Sequence, residues 1–430
     1  MRIVLKGVAD AGGKAVTLVI TAVAARTLVS DAFGVMALAM ATGWLLGVAT
    51  DAGLSMHLAR ETSRQRARAR TLLGEVMVLR TGLAYTAAAA VALLAGQMVP
   101  PHWKLQFVLV VLAQLTGAVL DTVSHFFRGL ERSDIESAIH LAQRALTLVL
   151  SVIVLRWWPR LDYLGVALLV PVAIALAVAM TLAWRLAVAG TRDPGREVRG
   201  SRSPDPGSGA ESLTFASFIR DVLPLGLGVL LSALYFRIDL YFIERWHGLE
   251  AVGGYNAVFR LVEAARLLPA AVMAVTFPLL VKATNTRLVR SIGGWLTLAG
   301  TTLAIFSAAG AAFIVTTIYG VPYGYTAPVF AILSLALPLF FLNYALTHQV
   351  IGWDGQRAYL SIAAAALVAN IAANLMLVPT RGIAGAAIAT VVTEIVVTAG
   401  CAYVLWRRTV GGDTAAGLSR GSRSRVGVEP

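Results

Sequence analysis

Residues 235–246 read YFRIDLYFIERW, apolar enough for lipid or a core, yet carrying Arg237 and Asp239 two positions apart. An ionisable side chain near a bilayer centre costs roughly 2.5–3.5 kcal/mol even on lenient insertion scales, so each needs a partner or water. Residues two apart point to different helix faces and cannot neutralise each other. A guanidinium suits bidentate binding of phosphate. Arg237 is therefore either an anion receptor in an open cavity or one side of an ion pair that joins two helices, and Asp239 is a tie to a neighbouring helix or the other half. Downstream, Asn256, Arg260, Glu263 and Leu267 follow i, i+4, i+7, i+11 and form a polar stripe. It reads as a cavity wall whose cation meets an anion, or as an Arg260–Glu263 pair that fastens helices; the two are compatible.

Further ionisable groups fall inside apolar runs. Lys14, Arg26 and Asp51 lie in the first two, and Glu244 and Arg266 accompany the residues above. Asp121 and His125, at i and i+4, form either a protonatable pair or a polar cluster at a helix end. Asn370 and Asn374 share that spacing and suit interhelical hydrogen bonds, while Arg144 and Glu394 call for structural partners. Other chemistries find no motif. AGGKAV lacks the spacing and the Ser/Thr of a phosphate loop, and neither His-Glu-x-x-His nor Cys-x-x-Cys occurs, so no cofactor, metal or enzyme activity is expected.

The elements that must position these groups are membrane helices. The 430 residues are 58% hydrophobic and 14% charged, a composition that marks an integral membrane protein. A span takes about 20 apolar residues, and about twelve such runs recur, near 8–29, 33–54, 75–97, 105–126, 136–157, 163–185, 221–243, 252–278, 291–318, 326–348, 358–378 and 383–406. Arg60, Arg64, Arg66, Arg68 and Arg70, with Arg80 at the start of the third run counted among them, are assigned to the connection between the second and third runs, and further arginines follow the sixth. One side collects roughly 25 positive charges against about five, which places both termini and that side in the cytoplasm. The net charge of +13 thus orients the chain toward anionic membrane lipids, and no nucleic-acid partner is expected. The single cysteine, Cys401, reads as a small buried residue and rules out an intrachain disulfide. The first run is read as a retained helix rather than a cleaved signal.

The opposite connections, such as QMVPPHW and YGVPYGYTAP, are too short for a folded domain. The long break at 189–212, rich in Gly, Pro, Ser and Arg, reads as a flexible cytoplasmic linker, and 409–430 as a disordered tail. The linker separates six runs from six, 1–188 and 213–408. SDAFGVMALA at 30–39 echoes LEAVGGYNAV at 249–258, and AARTL and YFRID each place an Arg in the outer part of a half's first helix. LDYLGVALLVP and TRGIAGAAIATVV open the sixth run of each half. This order fits two six-helix lobes of like topology, related by an axis along the membrane normal. Pro224, Pro269, Pro278 and Pro338 place kinks or static breaks in the second half.

On the residues AARTLVSDAFGVMALA, TDAGLSMHLARE, FRGLERSD, YFRIDLYFIERWHGLEAVGGYNAVFRLVE, TFPLL and VPTRGIAGAAIATVVTE, in this order over about residues 1–406, the chain resembles the polysaccharide transporter branch of the multidrug/oligosaccharidyl-lipid/polysaccharide exporter superfamily, the Wzx-type oligosaccharide flippases. Val29 and Met36 depart from the pattern that Gly254 and Tyr255 keep. The resemblance implies an all-α V of two six-helix lobes around a central cavity lined by helices 1, 2, 7 and 8. It implies a bacterial inner-membrane protein that carries an undecaprenyl-pyrophosphate-linked oligosaccharide to the outer leaflet by alternating access, beside glycan polymerases and glycosyltransferases. Carried onto this sequence, the pyrophosphate contacts are Arg237 and Arg260, then Arg26 and Lys14, with Asp51, Asp239 and Glu263 left for ion coupling or interlobe pairing. The alternatives are a cation-coupled multidrug exporter of the same superfamily and a non-transporting scaffold of a glycan assembly complex.

Overall fold

Apolar runs broken by Gly, Pro and short charged turns can satisfy their backbone in lipid only as helices. The computed structural model, which describes residues 2–192, 223–282 and 287–423, is all-helical across these segments. The first half holds α1 (Arg2–Thr27), α2 (Ser30–Asp51), α3 (Leu54–Arg64), α4 (Ala69–Met98), α5 (Lys104–Gly129), α6 (Ser133–Trp157) and α7 (Leu161–Arg192). The second holds α8 (Leu223–Arg237), α9 (Asp239–Ala265), α10 (Leu267–Lys282), α11 (Arg287–Ala309), α12 (Ala311–Tyr319), α13 (Ala327–Ser334), α14 (Leu337–Gly352) and α15 (Gln356–Arg423).

Among the described residues, seven helices are long and apolar enough to cross a membrane, or eight if α13 and α14, bent by 42°, form one span. The difference from about twelve runs has a physical origin. Second-half runs are assembled from short helices joined at breaks, and α15 holds two runs divided at Gly382, whose φ of 57° interrupts the helix. Gly248, at φ 78°, divides α9 in the same way. Pro269 and Pro338 stand in the first turns of α10 and α14, where a missing N–H costs little. The linker reading from 193 to 212 lies outside the described residues, and α15 continues as helix to Arg423, into the segment read as a tail.

The repeat is visible in the backbone. Ser30 begins α2 after the Leu28–Val29 turn, and Leu249 begins the second segment of α9 after Gly248. In the first half α5 packs on α2, α4 and α7, and α6 on α1 and α7; in the second, α14 packs on α10, α11 and α15, and α8 on α15. The halves meet chiefly where α2 and α1 pack on α9 and α2 on α8. Their shared core includes Ala25, Phe33, Val252, Tyr255 and Phe259. It lies toward the far end, opposite the arginine-rich turn between α3 and α4. Leu93, 85% exposed, and Phe306, 70% exposed, represent the apolar surface left for lipid.

Candidate functional site

Toward the basic end the halves part around a cavity of 1290 Å³. One wall is ionisable and comes from the first half: Asp51 ends α2, Asp121 and His125 face in from α5, and His140 and Arg144 from α6. The opposite wall is largely apolar: Leu225 and Val229 on α8, Leu267, Met273 and Phe277 on α10, and Tyr344 and His348 on α14. Phe277 and Tyr344 flank His348 at ring separations of 5.5 and 5.8 Å, the latter pair stacked.

The ionisable wall is held by hydrogen bonds between helices. His140 Nε2 lies 2.8 Å from Ser124 Oγ and 3.7 Å from Asp121 Oδ1, joining α5 to α6. The Asp121 side chain is 67% exposed, and the space it faces is the cavity. His125 Nδ1 lies 2.9 Å from the Asp121 carbonyl, and its Nε2 lies 3.2 Å from Arg128, which donates to Glu136 at 2.8 Å through Nε. Behind Asp51, Arg80 is 1% exposed; it donates to Thr122 Oγ1 at 3.1 Å, to the Gly47 carbonyl at 3.0 Å and to Thr50, and lies 3.9 Å from Asp51. Ser55 donates to Asp51, and its Oγ also lies 3.0 Å from Thr122 Oγ1, so α2, α3, α4 and α5 are joined at one point.

Arg80 corrects its placement among the arginines of the α2–α4 connection. Its count toward charge asymmetry was reasonable from position, but four acceptors draw it inside the bundle. The signal for His140 was available in the sequence: His140, Gln143, Arg144 and Thr147 form a stripe at helical spacing, and all four line the cavity.

The predicted residues are distributed differently. Arg237 and Arg260 both donate to Glu263 Oε2, at 2.8 and 2.6 Å. Arg237 is 4% exposed, with its guanidinium 4.7 Å from the Phe259 ring centre. Arg266 joins this neighbourhood in an aromatic cage, 4.2 Å from Phe236 and 4.7 Å from Phe340. This cluster ties α8 to α9 and is not part of the cavity lining, because Glu263 at i+3 from Arg260 reaches both cations from the second half itself. Asp239, 2% exposed, accepts from the Leu240 N–H at 2.9 Å and from Tyr255, whose hydroxyl also lies 3.2 Å from Thr390. It is a tie within the second half. Arg26 lies at the far end, where it bridges the halves by donating to the Ile318 carbonyl at 2.9 Å and to that of Thr317. Asp51 lines the cavity. Lys14 is on α1, and its side chain lies outside the described residues. Asn370 donates to Thr393 at 2.9 Å, and Glu394 accepts from Asn343 at 2.7 Å, so both are structural partners within the second half.

A multi-pass helical bundle whose halves close at one end and enclose a large cavity at the other has the architecture of membrane transporters. Solved structures share the fold at low identity. The lipid II flippase MurJ in an inward closed conformation aligns with a TM-score of 0.63 and 11% identity, over 94% of this chain and 87% of that one. An outward-facing multidrug resistance MATE transporter of the MOP superfamily aligns at 0.61 and 17%, over 96% of each chain. The Vibrio cholerae MATE transporter VcmN in its bent form gives 0.57 and 12%, over 96% and 97%. No curated protein matches the chain. Residues 5–284 match the family described as polysaccharide biosynthesis protein, and the chain belongs to that family. Family and fold are those of transporters rather than enzymes.

Proposed function

We propose that the protein is a flippase, moving an undecaprenyl-pyrophosphate-linked oligosaccharide across the bacterial cytoplasmic membrane by alternating access. The observation that supports this most is the division of the cavity into an ionisable wall and an apolar, aromatic one. An amphiphile whose sugar and diphosphate must cross while its chain stays in lipid needs both surfaces. Its diphosphate meets the wall that carries His140, His125 and Arg144, where imidazolium and guanidinium groups give hydrogen bonds to phosphate oxygens in exchange for their present contacts. In this reading the basic end is cytoplasmic, and substrate is captured with the cavity open toward that end and the far end sealed. Residues 1–188 and 213–408 act as two lobes of six spans each, joined by a cytoplasmic linker. Arg237 and Arg260, held by Glu263 in this state, become available to the diphosphate when α8 and α9 shift against each other within the second half and Glu263 is displaced. Polymerases and glycosyltransferases of surface polysaccharide assembly are its expected partners.

The test is translocation by purified protein in liposomes of a fluorescent undecaprenyl-pyrophosphate sugar, read by quenching from outside. Wild-type protein moves it, and the double variant His140→Ala/Arg144→Ala does not. Efflux of organic cations without movement of the lipid-linked sugar would establish a drug exporter instead, and movement of neither would establish a scaffold.

A further inference from the structure

A second opening lies on the lateral face between the halves, away from the ionisable wall. It is a groove of 560 Å³ between α2 and the α8–α9 junction. Thr42, Leu45 and Leu46 form one side, and Leu234, Ile238 and Phe242 the other. Its two hydroxyls satisfy each other: Thr42 Oγ1 lies 2.8 Å from Tyr241 OH and donates to the Leu38 carbonyl at 2.8 Å. With these hydroxyls already paired, the groove offers an occupant apolar contact along its length and a cation, Arg245, only at its rim. Residues 234–246 span about 18 Å of helix, over half of a hydrocarbon core of about 30 Å. The occupant is therefore an extended alkyl chain lying along the bilayer normal.

Two features identify whose chain it is. First, neighbouring residues of the same two helices, α2 and α8, line the groove and the cavity. On α2, Trp44 and Val48 face the cavity while Leu45 and Leu46 face the groove; on α8, Val229 faces the cavity and Leu234 the groove. Trp44 stands in this seam, its ring 6.5 Å from that of Phe236. Second, the far rim carries a cation beside an aromatic pair. Arg245 is exposed there, and Trp246, 40% exposed, stacks on Phe242 at 5.7 Å. Tryptophan at this level suits the membrane interface, and the guanidinium suits a phosphate that has reached that leaflet.

We infer that this groove holds the polyprenyl chain of the transported lipid as its head leaves the cavity, with Arg245 receiving the diphosphate. The inference rests on the flippase reading and supplies the chain's path. It commits to the substrate's chain rather than to a bulk phospholipid because the groove adjoins the cavity across the seam that must open when the halves move.

The experiment uses the full chain in liposomes with two labelled donors bearing the same sugar, one on undecaprenyl pyrophosphate and one on a two-isoprene analogue. Leu46→Trp and Ile238→Trp fill the groove. Long-chain translocation falls about tenfold, the loss expected when roughly two methylene groups lose apolar contact, while transport of the short-chain donor is retained and reports a folded protein. A photoreactive residue at position 46 labels a polyprenyl phosphate probe, and undecaprenyl phosphate competes. Equal loss for both donors, or labelling by a photoreactive phospholipid that undecaprenyl phosphate does not displace, overturns the inference. Should wild-type protein move neither donor, the flippase reading fails, and the competition at position 46 still decides the groove.

Discussion

Gly34 and Gly253, equivalent positions of the two repeats, meet across the junction of the halves. A Cβ on Gly34 would stand 1.9 Å from the Leu249 carbonyl oxygen, and one on Gly253 would stand 2.9 Å from Phe33 Cδ1 and 3.2 Å from the Gly34 nitrogen. The two helix starts can approach this closely only because neither carries a side chain there. The Phe33 ring then packs edge-on against Tyr323 at 5.9 Å, extending the seal.

Substitution at these glycines opens the far end, in a fixed order. Gly34→Ala meets backbone, which has nowhere to go, and shifts the population toward a state open at that end. Gly253→Ala meets mainly a side chain that can turn, and shifts it less. Distances between spin labels on the α1–α2 and α9 turns check this: the long-distance population grows in the order wild type, Gly253→Ala, Gly34→Ala. The reverse order would place the seal elsewhere.

The glycine pair shows what the sequence could and could not reveal. The alignment of 30–39 with 249–258 located both helix starts, since a turn residue and the helix after it are local properties. That the two repeats face each other is a tertiary fact with no local signal. The same boundary runs through the ionisable residues. Arg260 and Glu263, three apart, were legible as a pair, but the capture of Arg237 by the same carboxylate depends on how α8 crosses α9. Asp121 and His140 are nineteen positions apart in sequence, and only the packing of α5 on α6 brings them together. Arg80 lies only five residues into the apolar run near 75–97, so its position in the sequence did not tell a topology charge from a buried one, whereas α4 begins at Ala69 and places it about three turns inside the helix.

Glu263 serves two guanidinium groups, and that sets the ranking of variants in its cluster. Glu263→Gln leaves Arg237 and Arg260 facing each other without a counter-charge, and the cost of breaking a buried pair is about 3–5 kcal/mol. Arg260→Met leaves the Arg237–Glu263 contact at 2.8 Å intact and costs less. The double variant Arg237→Met/Glu263→Met recovers part of the loss, since it removes both desolvated charges. Thermal unfolding in detergent checks the order.

Arg80 tests whether planar geometry or charge holds the α2–α5 junction. Its guanidinium reaches Thr50, Gly47 and Thr122 in three directions, which a lysine ammonium at the end of a flexible stem does not reproduce. Arg80→Lys therefore behaves more like Arg80→Met than like wild type. Each buried acceptor left unpaired costs about 1–3 kcal/mol. Melting temperatures of the three proteins, with Thr50→Val as a smaller perturbation, measure the effect. A lysine variant as stable as wild type would show that charge next to Asp51 is sufficient.

Arg26 fastens the halves where they must separate. It is exposed, so its bonds to Thr317 and Ile318 compete with water and add little to folding. Their effect falls instead on the balance between two states, because these carbonyls belong to the second half and are released when the far end opens. A hydrogen bond of net worth about 0.5–1.5 kcal/mol changes that balance by about two- to tenfold. Leu28, 8% exposed just beyond Arg26, reports the opening. Cys401 is the only cysteine and is buried, so Cys401→Ser provides a background for Leu28→Cys. In that background Arg26→Ala raises the rate at which an impermeant thiol reagent modifies position 28, while the unfolding temperature is unchanged. Arg26→Lys restores part of the protection, because an ammonium reaches one carbonyl but not both. A rate unaffected by Arg26→Ala would show that the glycine contact and the Phe33–Tyr323 seal hold the end closed without it.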